Sequence, residues 1–302
     1  MTQAQRLKCL SVPSGKIDAI LDTDAFNEID DQFAIAYMVK SPEKINVKAI
    51  CAAPFDNIYS EGAADGMERS YNETQKLLSL MGKSVDVYRG STAFLLDENT
   101  PQISEAARKM VEISRDHSSD NPLYIVAIGA ITNVASALLI EPEMKERVVV
   151  VWLCGNAHHY HCTEEFNMKQ DIAAARVVMG CGVPFIQLPC MGVVSSFTIS
   201  KPELEFWLKG KNPIADYLAT ITVNEGEKGF SGTPWTRPIW DVTAVAWLLN
   251  DSDRFMCSRV IPTLLPKYDN SYDTENPGYP MTYVYSIKRD ALMTDLINTI
   301  LK

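Results

Sequence analysis

The chain reads as an α/β protein, one domain over residues 1–302 with a mostly parallel, Rossmann-like central sheet flanked by helices and a helical C-terminal part. Three observations predict this. Short apolar runs alternate with helix-like segments through the first two thirds of the chain, the pattern of βαβ units. Polar and acidic residues follow several of those runs, where an open α/β sheet builds its ligand site. A hydrophobic content of 46% allows a large core, and no Gly-, Ser- or Pro-rich linker divides the chain.

Taken in order, Ile17–Leu21 is a short buried strand, and Phe33–Val39 a mostly buried helix with Asp30 and Asp31 in its first turn. Asn46–Ala53 is the next strand, and Met67–Met81 a helix closed by Gly82. Val85–Tyr88 is a short strand, Ser104–Arg115 a helix, Leu123–Ile128 a buried strand and Val134–Ile140 a small-residue helix. Val148–Leu153 is the most β-branched run and predicts a central strand. Ile172–Met179 is a helix ended by Gly180 or Gly182, leading to the strand Val183–Leu188. In the last third, Pro202–Leu208, Ile214–Val223, Asp241–Leu249 and Ala291–Leu301 are helical. Glu225–Arg237 reads as a glycine-bearing loop and Asp269–Pro280 as a surface excursion.

The net charge of −10 argues against a nucleic-acid backbone or an anionic membrane as the main partner and leaves a small neutral ligand open. Seven cysteines include no CxxC pair, so neither a zinc ribbon nor a disulfide framework is indicated. Met1–Ser14 lacks the apolar stretch of a secretory signal and no run is long enough to span a bilayer, so the cytoplasm is the expected compartment.

Chemistry concentrates at the first strand end, where Asp22, Asp24, Asp30 and Asp31 follow one apolar run. Carboxylates that close repel one another, and a hard cation with oxygen ligands, Ca²⁺ or Mg²⁺, relieves them. A helix-dipole complement at Asp30–Asp31 and a turn cap at Asp22 are the plainer reading of either feature alone. Later strand ends carry Asn57, Thr132–Asn133, Glu164–Asn167 and Trp240–Asp241. His158, His159 and His161 suggest zinc, but adjacent histidines rarely converge on one tetrahedral ion and the nearby cysteines lack ligand spacing.

Asp22-Thr23-Asp24 followed by Asp30-Asp31 resembles the N-terminal signature of the inosine–uridine-type nucleoside hydrolases. Asn57, Gly129-Ala130-Ile131-Thr132-Asn133, Glu165-Phe166-Asn167 and Trp240-Asp241 fall in that family's order. The resemblance implies the nucleoside hydrolase fold and a calcium-dependent cleavage of the ribonucleoside N-glycosidic bond, giving base and ribose. It implies a Ca²⁺ held by Asp24, Asp31, the backbone carbonyl of Thr132 and Asp241, with Asp30, Asn57, Glu165 and Asn167 on the ribose and Asp22 supporting the loop. Asp24 is then the base that takes a proton from a water made acidic by the metal. A homodimer or homotetramer is implied as well.

The sequence departs from the family pattern in three places. Trp240 stands where a histidine commonly precedes the late aspartate, and an indole N–H only donates a hydrogen bond. Stacking on the base is its expected role, with His158, His159 or His161 as candidate acids. Ala25-Phe26-Asn27-Glu28 replaces a compact Pro-Gly turn, and His159 or Tyr160 occupies the region of an asparagine found before Glu-Phe-Asn, which makes His159 a candidate substrate contact. Two rival readings follow: a non-catalytic calcium and ribose-binding protein, or a haloacid-dehalogenase-type Mg²⁺-dependent phosphatase with Asp22 as nucleophile. The second leaves Asp30–Asp31, Glu165–Asn167 and Trp240–Asp241 without roles.

Overall fold

The structure, a computed structural model, describes residues 1–160 and 162–302. Helix α1 (Gln3–Cys9) precedes β1 (Ile17–Thr23), followed by α2 (Asp31–Val39), β2 (Ile45–Ala52), α3 (Ala63–Met81) and β3 (Val87–Arg89). Next come α4 (Glu105–Ser114), β4 (Leu123–Ala127), α5 (Thr132–Ile140), β5 (Val148–Leu153), α6 (Phe166–Gln170), α7 (Ile172–Gly180) and β6 (Phe185–Leu188). The remainder is β7 (Thr198–Ser200), α8 (Lys201–Trp207), α9 (Pro213–Phe230), β8 (Thr236–Pro238), α10 (Val242–Leu248), β9 (Met256–Pro262), β10 (Pro280–Ile287) and α11 (Arg289–Leu301).

Eight strands form one sheet in the order β3-β2-β1-β4-β5-β6-β10-β9, parallel except for the edge strand β9. From β1 the chain builds outward to β2 and β3, and from β4 outward in the other direction, so the order reverses between β1 and β4. That is the topological switch point at which such sheets open a crevice beyond their carboxyl ends. β7 and β8 pair separately as an antiparallel ribbon.

Each face of the sheet carries its own core. Val149, Val151 and Leu153 of β5 point into one, with α2, α9, α10 and α11, whereas Val148, Val150 and Trp152 point into the other, with α4, α5 and α7. Strand β5 is buried throughout, as its unbroken Val run requires of a central parallel strand. Helix α2 is buried on every side, which a helix without a polar face must be.

Two features of the last third differ from the sequence reading. Its helices are present, but β9 and β10 join them, and β10 lies parallel to β6. Helix α9 also runs on to Phe230 through the segment expected to be loop. Gly226 permits this by packing flat against the Trp235 indole, where a Cβ would stand 2.6 Å from the ring. The excursion after Asp269 is tied inward at Tyr272, whose hydroxyl donates to the Asn156 carbonyl at 2.7 Å. Among the described residues no helix is long and apolar enough to cross a membrane.

Candidate active site

The last residues of β1 send alternate side chains to opposite layers. Asp22 accepts from Asn133 Nδ2 at 2.9 Å on the α5 side, while the Thr23 hydroxyl donates to Asp31 on the α2 side. Asn133 also donates to the Ala52 carbonyl and accepts from both the N–H and hydroxyl of Ser91. This one amide joins the ends of β1 and β2 to the loop after β3. Thr132 spends its hydroxyl on Asp171 at 2.7 Å, so the resemblance leaves it only its backbone carbonyl for a metal.

Asp24 lies just beyond the strand, against Gly129, with its Oδ2 accepting from Asn27 Nδ2 at 2.8 Å. Asp30 accepts the backbone N–H of Asp241 at 3.2 Å, which ties the N-terminus of α2 to that of α10. The ligand oxygens of Asp30, Asp31 and Asp241 lie within 4.8 Å of one another, all buried. Three carboxylate oxygens of this region, Asp22 Oδ2, Asp24 Oδ1 and Asp31 Oδ2, are buried with no hydrogen-bond partner.

These environments raise the carboxyl pKa values. Burial pushes Asp22 up to about 7, against the pull of its Asn133 bond. It does the same to Asp31, also to about 7, against the Thr23 bond. Asp24, Asp30 and Asp241 are raised well above the ordinary carboxylate range, first by burial and then by neighbouring carboxylates, chiefly Asp31 for Asp24, Glu28 for Asp30 and Asp30 for Asp241. A cluster of hard oxygens with orphaned lone pairs and mutual repulsion fits Ca²⁺ or Mg²⁺. It holds none of the histidine nitrogens or cysteine sulfurs around which tetrahedral zinc sites are built.

Beside the cluster opens a cavity of about 220 Å³, lined by Asn27, Glu28, Asp30, Asn156, Glu165, Phe166, Asn167, Cys190, Met191, Trp240 and Asp241, among others. Asn167 donates both amide hydrogens to the carbonyls of Ile128 and Leu153, at the ends of β4 and β5, which leaves its Oδ1 for a ligand. Glu165 caps α6, accepting from the N–H groups of Gly155, Asn167 and Met168. Burial raises its pKa, and those three bonds oppose the rise.

The expected site residues therefore divide. Asp30, Glu165, Asn167, Trp240 and Asp241 line the cavity, and Asp24 and Asp31 lie buried behind it. Asn57 is not among the lining residues; its amide donates to the Asn27 carbonyl and its Oδ1 accepts from Tyr59 N–H, an Asx turn that buttresses the first loop. His159 is exposed, its ring tilted against that of Tyr160 with centroids 5.0 Å apart, and lies beside Gly192 rather than in the cavity. His158 is packed behind the wall between Tyr272 and Tyr283, bonded to Gln187, and burial lowers its pKa. His161 lies outside the described residues.

Several lining positions were not anticipated as site residues from sequence, among them Asn27, Glu28, Asn156, Cys190 and Met191. Asn156 follows β5, and Cys190 and Met191 follow β6, so the strand-end rule carried a signal for these three. Asn156 stands nine residues before Glu165, and its Nδ2 is held by the Cys162 carbonyl.

Comparison with known proteins gives concordant matches. The family model described as inosine-uridine preferring nucleoside hydrolase matches residues 19–277. A pyrimidine-specific ribonucleoside hydrolase RihA from an Enterobacter species is 30% identical over 158 residues, 49% of this chain and 48% of that protein, so this alignment spans about half of the relative. The Citrobacter koseri protein of the same description is 25% identical over 252 residues, covering 73% of this chain and 76% of its own length. Among solved structures, a plant nucleoside hydrolase superposes with a TM-score of 0.76 at 16% identity, covering 96% of this chain and 99% of its own. A purine-preferring ribonucleoside hydrolase from Gardnerella vaginalis gives 0.74 at 19% identity, covering 94% and 98%. At those identities the structures show a shared fold.

Proposed function

The chain belongs to the inosine-uridine preferring nucleoside hydrolase family, and from that premise we propose that it hydrolyses the N-glycosidic bond of ribonucleosides in a calcium-dependent reaction. The observation that carries this reading is the buried carboxylate cluster with orphaned oxygens at the carboxyl end of β1, beside a cavity of about 220 Å³ that Asp30 and Asp241 line. We take residues 1–302 as one catalytic domain, acting in the cytoplasm as a homodimer or homotetramer.

Asp24, Asp31, Asp241 and the backbone carbonyl of Thr132 would hold the cation, Asp24 Oδ1 and Asp31 Oδ2 being buried oxygens without a partner and Asp30 standing beside them. When bound, a hard divalent cation offsets the repulsion among these acids and makes a water acidic enough to serve as nucleophile near neutral pH. Asp24 takes the proton of the attacking water, its other oxygen being anchored by Asn27. Asp30, Glu165 and Asn167 bind ribose hydroxyls, and Asn57 acts through the first loop that it braces. As the bond to the base breaks, positive charge develops on the sugar, and the fixed carboxylates around it stabilise that charge without reorganising. Phe166 and Trp240 offer aromatic faces to the departing base. The RihA relatives are described as pyrimidine-specific and the Gardnerella protein as purine-preferring, so the preferred base is left to experiment.

The test is release of free ribose from a panel of purine and pyrimidine nucleosides, with calcium and with a chelator, on wild type and Asp24→Ala. Turnover lost in both controls is the expected result. Nucleoside binding without turnover in calcium would replace this reading with that of a binding protein.

A further inference from the structure

Asn27 sits in the first loop between Asp24 and Asp30. Its backbone N–H donates to the Asp24 carbonyl at 3.0 Å, its Nδ2 to Asp24 Oδ2 at 2.8 Å, and its own carbonyl accepts from Asn57 Nδ2 at 3.2 Å. The preceding Phe26 has φ of 91°, a backbone state a phenylalanine keeps only where its surroundings fix it. The side-chain orientation of Asn27 is chemically determined. A flipped amide would set its oxygen against the Asp24 carboxylate, acceptor against acceptor. Oδ1 is thereby turned away from Asp24, and it has no hydrogen-bond partner although the residue is only 6% exposed. A buried carbonyl left unpaired carries a desolvation cost that a ligand donor removes. Asn27 lines the cavity beside Asp30 and Trp240, and also a second cavity of about 260 Å³ on the far side of the loop.

We propose that Asn27 is a substrate-contact residue: its Oδ1 accepts a hydrogen bond from a donor of the bound ribonucleoside while its Nδ2 holds Asp24 in register. The inference rests on the ribonucleoside reading above. Two donors share the required chemistry, a ribose 2′- or 3′-hydroxyl and an exocyclic amino group of the base.

The experiment is steady-state kinetics of wild type, Asn27→Ala and the near-isosteric Asn27→Leu, in calcium. The substrates are adenosine, purine riboside (adenosine without its amino group), 2′-deoxyadenosine and 3′-deoxyadenosine. Melting temperatures check that the variants fold, and Asn27→Ser replaces either one that does not. The expected result is a loss in kcat/KM on adenosine about tenfold larger than on the one analogue lacking the contacted donor, the loss common to all four substrates being that of the Nδ2 hold on Asp24. That analogue identifies the source as amine or hydroxyl. Equal losses on all four substrates describe a loop that only steadies Asp24 and overturn the proposal, as does no loss at all. If the panel above shows a pyrimidine preference, cytidine, uridine and their 2′- and 3′-deoxy analogues take the place of these substrates; should wild type turn over no purine or pyrimidine nucleoside, the reading of function falls. Calorimetric titration of adenosine and purine riboside into wild type and variants then decides the inference, and absent or unchanged binding overturns it.

Discussion

Gly129→Ala is the sharpest probe of the site, because it disturbs Asp24 without touching a charge. A Cβ on Gly129 would stand 2.7 Å from Asp24 Cγ, 2.8 Å from its Oδ1 and 3.0 Å from its Cβ. Carbon atoms in ordinary contact are about 3.5 Å apart, so one side must retreat by roughly 0.8 Å. The glycine side is held: its carbonyl accepts the buried Trp152 Nε1–H at 2.9 Å, and the adjoining Ile128 N–H donates to the Asp22 carbonyl at 2.9 Å. Asp24 is therefore the group that moves. A misplacement near 1 Å at a reacting group costs on the order of 100-fold in rate, while overpacking costs about 1–3 kcal/mol of stability. The assay is kcat/KM on the best ribonucleoside substrate, with thermal denaturation alongside. In an Asp24→Ala background the stability loss should shrink, since the Cγ and Oδ1 contacts are gone and only the 3.0 Å Cβ contact remains, and the double-mutant cycle isolates that coupling. Activity within threefold of wild type, in a protein verified to carry the alanine, would refute the argument that Asp24 is needed where it stands.

Three further outcomes follow from the geometry. Calcium at 100 times its dissociation constant should stabilise wild type by about 2.7 kcal/mol, read as a rise in melting temperature that a chelator reverses and that Asp241→Asn abolishes. Trp240→Ala should lower kcat/KM by roughly ten- to a hundredfold through loss of stacking on the base, whereas Trp240→Phe should retain most activity; equal kinetics for the two would remove the stacking role. His158 supplies a pH dependence. Burial lowers its folded pKa below the ordinary histidine value, so the unfolded chain takes up its proton first as pH falls. Its contribution is thus present above that ordinary value and lost as pH falls through the lowered one. His158→Gln should lose less denaturant stability than wild type between pH 7.5 and 5.5, and parallel losses would contradict the assignment.

Much of the parallel sheet was legible because its strands are buried on both faces and appear as unbroken apolar runs, β5 above all. Strands β9 and β10 were not, since β9 is exposed or half-buried after its first residue, with no regular alternation, and β10 owes its place to pairing with β6, distant in sequence. Helix α9 outran its apparent end because Gly226, normally a helix breaker, is fixed by the Trp235 ring. The acidic half of the site was legible because Asp22 to Asp31 lie within one strand-to-helix junction. The opposite wall was harder. Asn156 was obscured by its nine-residue separation from Glu165, and Cys190 and Met191 carry no polar signal. The histidine run promised chemistry, but its described members serve packing: His158 among buried tyrosines, His159 on the surface.

The end of β1 has one more consequence. Asp22 is gripped from the α5 layer and Thr23, through Asp31, from the α2 layer, so Asp24 is harnessed between two reins that run into separate cores. Neither core can loosen without slackening one of them. Truncation of a large side chain in either layer, far from any ligand, should therefore blunt catalysis while the protein remains folded. Reaction rate becomes a second gauge, beside the melting temperature, of packing on both sides of the sheet.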